Sequence, residues 1–190
     1  LAWGRVRWEV ADRIAEEEAG TWADRMAGLE IDAVIDLIAF RAEQNRIVME
    51  AFAGRIEHFL HCGTIWSYGP TERAPYEEHF PRCPTTQYGI DKAQIESDLH
   101  AAWCRDGFPY TVIHPGHICG RRWLPIDPQG SRDGVGVYQR LSRGQIVHLP
   151  DLGLATLHHV HADDVAQLFQ LSLEQRGQAI GQSFSAVAPY

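Results

Sequence analysis

The chain has 190 residues, 45% hydrophobic and 22% charged, which is the composition of an ordinary globular domain with enough apolar side chain for one core. Its 17 Lys plus Arg against 25 Asp plus Glu leave a formal net charge of −8, so there is no basic surface to meet a phosphate backbone and nucleic acid is excluded as the expected partner. No apolar run reaches the length of a membrane span and no leader pattern opens the chain, so the sequence predicts no membrane partner and a cytoplasmic location. Cys62, Cys83, Cys104 and Cys119 form no C-x-x-C pair and read as reduced thiols.

In chain order, residues 31–40 (IDAVIDLIAF) form a nearly continuous branched apolar run, the pattern of a strand buried on both faces, and 42–52 follow as a helix. Residues 56–62 (IEHFLHC) predict a second strand, closed by Gly63, and 70–84 a proline-studded loop. Ile95, Leu99, Ala102 and Trp103 recur at i, i+4, i+7 and i+8, one face of a helix. A third strand is predicted at 110–114, a loop at 121–136, a helix at 137–143, a short strand at 145–149, and a helix at 163–175 capped by Asp163 or Asp164. Strands alternating with helices predict an α/β fold with a doubly wound parallel sheet.

In such a sheet ligands bind beyond the carboxyl ends of the strands, so the residues just after each apolar run matter most. Thr64, Trp66 and Tyr68 follow the second strand, and His114, Pro115 and His117 end the third. Tyr88 and Lys92, four apart, share one helix face. An ammonium about 4 Å from a phenol at an effective dielectric of about 20 contributes roughly 4 kcal/mol, enough to draw the phenol some three pK units toward neutrality. The competing reading of such a pair is a solvated helix surface.

The order of these parts resembles the extended short-chain dehydrogenase/reductases, the NAD(P)-dependent epimerase/dehydratase family. The family's strand-end motif is similar to 63–69 (GTIWSYG), its active-site Tyr and Lys match Tyr88 and Lys92, its Arg-Pro-x-Asn-x-Tyr-Gly segment is similar to 114–120 (HPGHICG), and its late His-x-Asp-Asp-Val to 161–165 (HADDV). The resemblance implies a Rossmann-like fold, NAD or NADP as cofactor, and a small, sugar-like substrate oxidised or reduced at a hydroxyl or carbonyl carbon. It implies Tyr88 as general acid/base, Lys92 tuning that phenol and holding a ribose hydroxyl, and Thr64 bonding the reacting oxygen. Asp12, Ala39, Phe40, His114, Pro115 and His117 would border the cofactor, and Trp66, Tyr68 and Trp123 the substrate. A homodimer is among the assemblies it allows.

The departures are informative too. No G-x-x-G-x-x-G occurs, residues 7–12 would be the family's third strand and 31–40 its fourth, so the fold is expected to lack its N-terminal strands. Residues 1–120 are then a partial dinucleotide-binding domain, and 121–190 a partial substrate-binding region interleaved with the sheet's last strand and helix. His117 stands where the family places Asn, and Leu157 about where its epimerases carry a diphosphate-binding Arg. The run His159-x-His161-x-Asp163 is similar to a metallo-hydrolase ligand set, but too few residues follow to complete one, and no metal is expected. The second functional reading is a catalytically inactive NAD(P)-binding regulator or RNA-associated relative.

Overall fold

The computed structural model describes residues 6–70, 75–131, 134–154 and 156–187, leaving residues 71–74 of the proline-studded loop and the last residues of the chain outside the description. Four strands, β1 (Ala33–Asp36), β2 (His58–Cys62), β3 (Tyr110–Pro115) and β6 (Gln182–Ala186), form one all-parallel sheet in the order β1-β2-β3-β6. A second parallel pair joins β4 (His117–Cys119) to β5 (His159–His161). The helices are α1 (Arg13–Glu18), α2 (Trp22–Ala27), α3 (Ala42–Phe52), α4 (Gln87–Asp106), α5 (Gly136–Ser142), α6 (Ala162–Glu174) and α7 (Arg176–Ala179).

Alternation along β2 and β3 splits the core in two. Phe59, Tyr110 and Val112 face α3 and α4, packing with Val48, Phe52, Ile95 and Leu99. Leu60 and Ile113 face the other way, against Val165 and Phe169 of α6. Burial on both faces is what a parallel sheet requires, and it holds for all of β3 and for β2 up to Cys62, with His58, His61, Thr111 and His114 the buried polar exceptions to their apolar pattern. The third strand and the helices at 42–52, 137–143 and 163–175 lie within a residue or two of their expected positions.

Four expectations need correction. Residues 7–12 are not a strand: they are exposed, and Asp12 instead caps α1, its Oδ1 accepting from Ala15 N at 3.1 Å. Residues 145–149 form no strand either: no strand pairs with them among the described residues, and Ile146 projects into solvent. The strand at 31–40 shrinks to four residues, the chain turning away after Asp36, whose side chain takes the Ile38 and Ala39 N–H groups at 2.9 and 3.0 Å. The cap of α6 is His161, whose Nδ1 accepts from Asp163 N at 3.2 Å; Asp163 and Asp164 occupy the first turn, where carboxylates favour the helix dipole.

Candidate active site

Thr64 leaves the carboxyl end of β2 in an extended conformation and caps a single 3-10 turn, its hydroxyl accepting from Trp66 N at 3.3 Å. Its own proton is therefore free to donate. Tyr88 sits in the first turn of α4, held by the Thr86 cap, which accepts from Gly89 N at 3.1 Å. Burial pushes the Tyr88 phenol up, and the neighbouring Thr64 side chain opposes it without reversing the shift. The ring is 39% exposed and lies 6.3 Å from that of Phe40, at the end of β1.

One turn on, Lys92 is buried at 1% exposure and reaches back to the sheet. Its Nζ donates to the carbonyls of Ala39 and Cys62, both at 2.7 Å, and toward His61 Nε2 at 3.3 Å. The ammonium lies 5.3 Å from the Phe40 ring centroid and 6.0 Å from that of Tyr88. Burial pulls Lys92 down to about 8. Burial and then the Lys92 charge push the His61 imidazole well below its ordinary range, so His61 is the neutral acceptor of this contact. The expectation of a phenol drawn toward neutrality is thus not met: the Tyr88 shift runs upward, because desolvation dominates and the ammonium is directed onto backbone carbonyls.

The other predicted residues divide. Trp66, half exposed, meets the buried His117 edge-on with ring centroids 6.0 Å apart, and His117 lies 5.9 Å from His159. Trp123 is exposed on an antiparallel bridge to Gly120. Pro115 ends β3 within the sheet, pairing with Ala186. Two assignments are corrected. Tyr68 does not line an open pocket; it is 2% exposed, with the Arg82 guanidinium 4.0 Å above its ring. The His114 side chain is fully buried and bonds between Thr64 and Glu96, which leaves its ring no open face toward a cofactor. Asp12, on the exposed cap of α1, has no role visible at the strand ends, whereas its neighbour Arg13 reaches Asp36 at the end of β1. Glu96, missed from sequence, lies four residues beyond Lys92 on the same helical stripe, so the i, i+4 spacing that found the first pair also pointed to it.

The sequence profile of the NAD dependent epimerase/dehydratase family matches residues 29–185. The chain belongs to that family. Among curated relatives of this epimerase/dehydratase chain, the 2'-dehydrokanamycin reductase of Streptomyces kanamyceticus is 28% identical over 171 residues, 90% of this chain and 48% of the reductase. The chain thus spans about half the length of that relative. Similar solved structures include a dTDP-glucose 4,6-dehydratase from Streptomyces venezuelae with NAD and TYD bound, at TM-score 0.68 and 16% identity, covering 86% of this chain and 55% of that one. A UDP-glucuronic acid 4-epimerase from Bacillus cereus, in complex with UDP-glucuronic acid and NAD, aligns at TM-score 0.63 and 18% identity over 78% of this chain and 46% of its own. These likenesses establish the Rossmann-like fold of an epimerase/dehydratase domain.

The residues present fit the nicotinamide-ribose end of such a cofactor. A ribose diol needs donors and acceptors together, and here the Lys92 ammonium is bonded to the Ala39 carbonyl at 2.7 Å and lies 6.0 Å from the Tyr88 ring centroid. The pyrophosphate end has no match, since no glycine-rich turn opens a helix beside β1 among the described residues.

Proposed function

We propose that this chain carries the proton-transfer end of an NAD- or NADP-dependent oxidoreductase acting at a hydroxyl or carbonyl carbon of a small, sugar-like substrate. The observation that carries this reading is the buried Lys92, bonded to the Ala39 and Cys62 carbonyls at the carboxyl ends of β1 and β2, one helical turn from Tyr88 and beside the strand-end Thr64. When bound, the nicotinamide supplies the hydride acceptor or donor. Tyr88 exchanges the proton at the substrate oxygen, Thr64 donates a hydrogen bond to that same oxygen, and Lys92 exchanges its 3.3 Å contact with His61 Nε2 for a ribose hydroxyl. The strand-end backbone at Ala39 and Phe40 forms the floor under the ribose.

The substrate enters from the side of residues 121–190. A cavity of about 320 Å³ beside β5 is lined by Ile126, Tyr138, Leu149, Pro150, Leu157 and His159 among others, and none of its described lining residues carries a permanent charge. That lining favours an uncharged sugar or aglycone over a nucleotide diphosphate, which calls for Arg or Lys. The chemistry of the 2'-dehydrokanamycin reductase, by its name, is of the same kind.

Tyr88→Phe keeps the ring and removes only the hydroxyl. In the protein carrying this chain it is expected to cut turnover by about 10² to 10⁴ while NAD or NADP binding, followed as a thermal shift, barely moves. Lys92→Met is expected to weaken both. Full turnover in Tyr88→Phe would overturn the reading and favour an inactive cofactor-binding relative.

A further inference from the structure

His114 is fully buried at the carboxyl end of β3 and bonds on both sides. Its Nε2 lies 3.1 Å from Glu96 Oε1, and its Nδ1 lies 3.1 Å from the Thr64 backbone nitrogen. Glu96 is itself fully engaged: Arg82 donates through Nε and Nη2 at 2.7 Å each, and Ser183 Oγ donates at 2.6 Å. Burial pushes the Glu96 carboxyl up, but the hydrogen bonds from His114, Arg82 and Ser183 outweigh it and hold the group well below the usual carboxylate range. An ionised carboxylate accepts and never donates, so the His114 proton must sit on Nε2. The Thr64 N–H is directed at Nδ1 at 3.1 Å, and in the neutral imidazole with its proton on Nε2 that nitrogen carries the lone pair that accepts it. The Thr64 carbonyl, also 3.1 Å from Nδ1, accepts from Ser67 Oγ at 2.8 Å. Gly63 completes the arrangement, for a β-carbon there would lie 2.5 Å from His114 Nδ1 and push the imidazole off the Thr64 backbone.

We propose that Glu96 and His114 are a positioning pair that acts through Thr64, fixing its backbone so that its hydroxyl faces Tyr88. The inference rests on the proposed roles of Thr64 and Tyr88 and adds that Glu96 selects the His114 tautomer on which their alignment depends. Neither residue touches the reacting atoms; both act on the phenol by way of Thr64.

The first test needs no ligand: titration of the Tyr88 phenol by NMR in protein carrying isotope-labelled tyrosine, with Tyr88→Phe assigning the signal. Thr64→Ala removes the neighbour that pulls the phenol down, so its titration moves up. The proposal expects Glu96→Gln and His114→Leu to move it up as well, and to add nothing further when combined with Thr64→Ala. The second test is turnover with cofactor. His114→Asn offers an amide oxygen to the Thr64 N–H and is expected to retain more kcat than His114→Leu, with KM little changed, and Thr64→Ala with His114→Leu should be no worse than Thr64→Ala alone. Thermal unfolding monitors the fold, and Glu96→Gln and His114→Asn carry both tests if His114→Leu does not fold. Variants that lose stability but leave the Tyr88 titration in place, or whose effects add to that of Thr64→Ala, would overturn the positioning pair alone. A Thr64→Ala protein with unchanged phenol titration and full turnover would overturn the catalytic reading and the pair with it.

Discussion

At residue 92, the helical spacing brings an ammonium to the face that carries a phenol, but the fold directs that ammonium at the carbonyls of Ala39 and Cys62. Those bonds satisfy the charge only in part, and burial lowers its pKa from 10.5 to about 8. The sign of the linkage follows. Between about pH 8 and 10.5 the unfolded chain binds a proton at Lys92 that the folded chain has released, so stability rises with pH across this window and the burial cost is felt in full below it. The shift corresponds to about 3 kcal/mol. Lys92→Met removes the titrating group, so the stability difference between wild type and variant, measured by urea unfolding at several pH values, should change in favour of wild type by up to that amount from pH 8 to 10.5. A difference independent of pH would mean that the amine is better solvated than its position indicates. Glu96 behaves oppositely: with its folded pKa depressed, its contribution is present above the ordinary carboxylate range and is lost as pH falls through and below it, so Glu96→Gln should flatten the acid limb of the same profile.

Helix α4 gathers the site on one element. Tyr88, Lys92 and Glu96 fall on successive turns of its sheet-facing side, while Ile95, Leu99 and Ala102 of the adjoining stripe bury into the core and fix its rotation. Its ends are well made, by Thr86 at the amino end and by Gly107 in the left-handed conformation at the carboxyl end. Because Tyr88 lies within the first turn, Thr86→Ala should lower stability by about 1 kcal/mol and raise amide exchange at Gly89 and its neighbours, leaving the middle of α4 protected. At this scale the sequence was legible wherever an apolar pattern met a partner surface: α3, α4, α6 and the central strands β2 and β3. It misled where pattern had no partner, at 7–12 and 145–149, since a strand is defined by the backbone beside it. β6 escaped because Ser183 and Ser185 face a polar layer containing Glu96 and Glu78 and so interrupt the apolar signal. In the site, the Thr64, Tyr88 and Lys92 positions came from motif spacing. The inward turn of His114 did not, because it depends on Glu96 and Arg82, which only the tertiary fold brings beneath it.

Across the whole molecule the two faces of the sheet are covered unequally. α3 and α4 blanket one face out to β1, where Val34 packs into their core, but α6 covers the other only as far as Leu60 of β2. Ile35, aligned with Leu60 on that second face, is left 45% exposed, and Leu37 and Ile38 are exposed just beyond the strand. Among the described residues no strand pairs with the outer edge of β1, so its free N–H and C=O groups stand next to this surface. Such an edge templates pairing with another chain, and natural edge strands commonly suppress this with an outward Lys. Ile35→Lys gives up little burial, places a charge on the open face, and leaves the Ala33 to Asp36 register with β2 intact. In light scattering over a concentration series, this chain should show concentration-dependent association that Ile35→Lys sharply reduces, while the denaturation midpoint shifts by less than about 0.5 kcal/mol equivalent. Association that is equally strong in Ile35→Lys would place the contact elsewhere, and a large loss of stability would show that the second face of β1 is covered in solution.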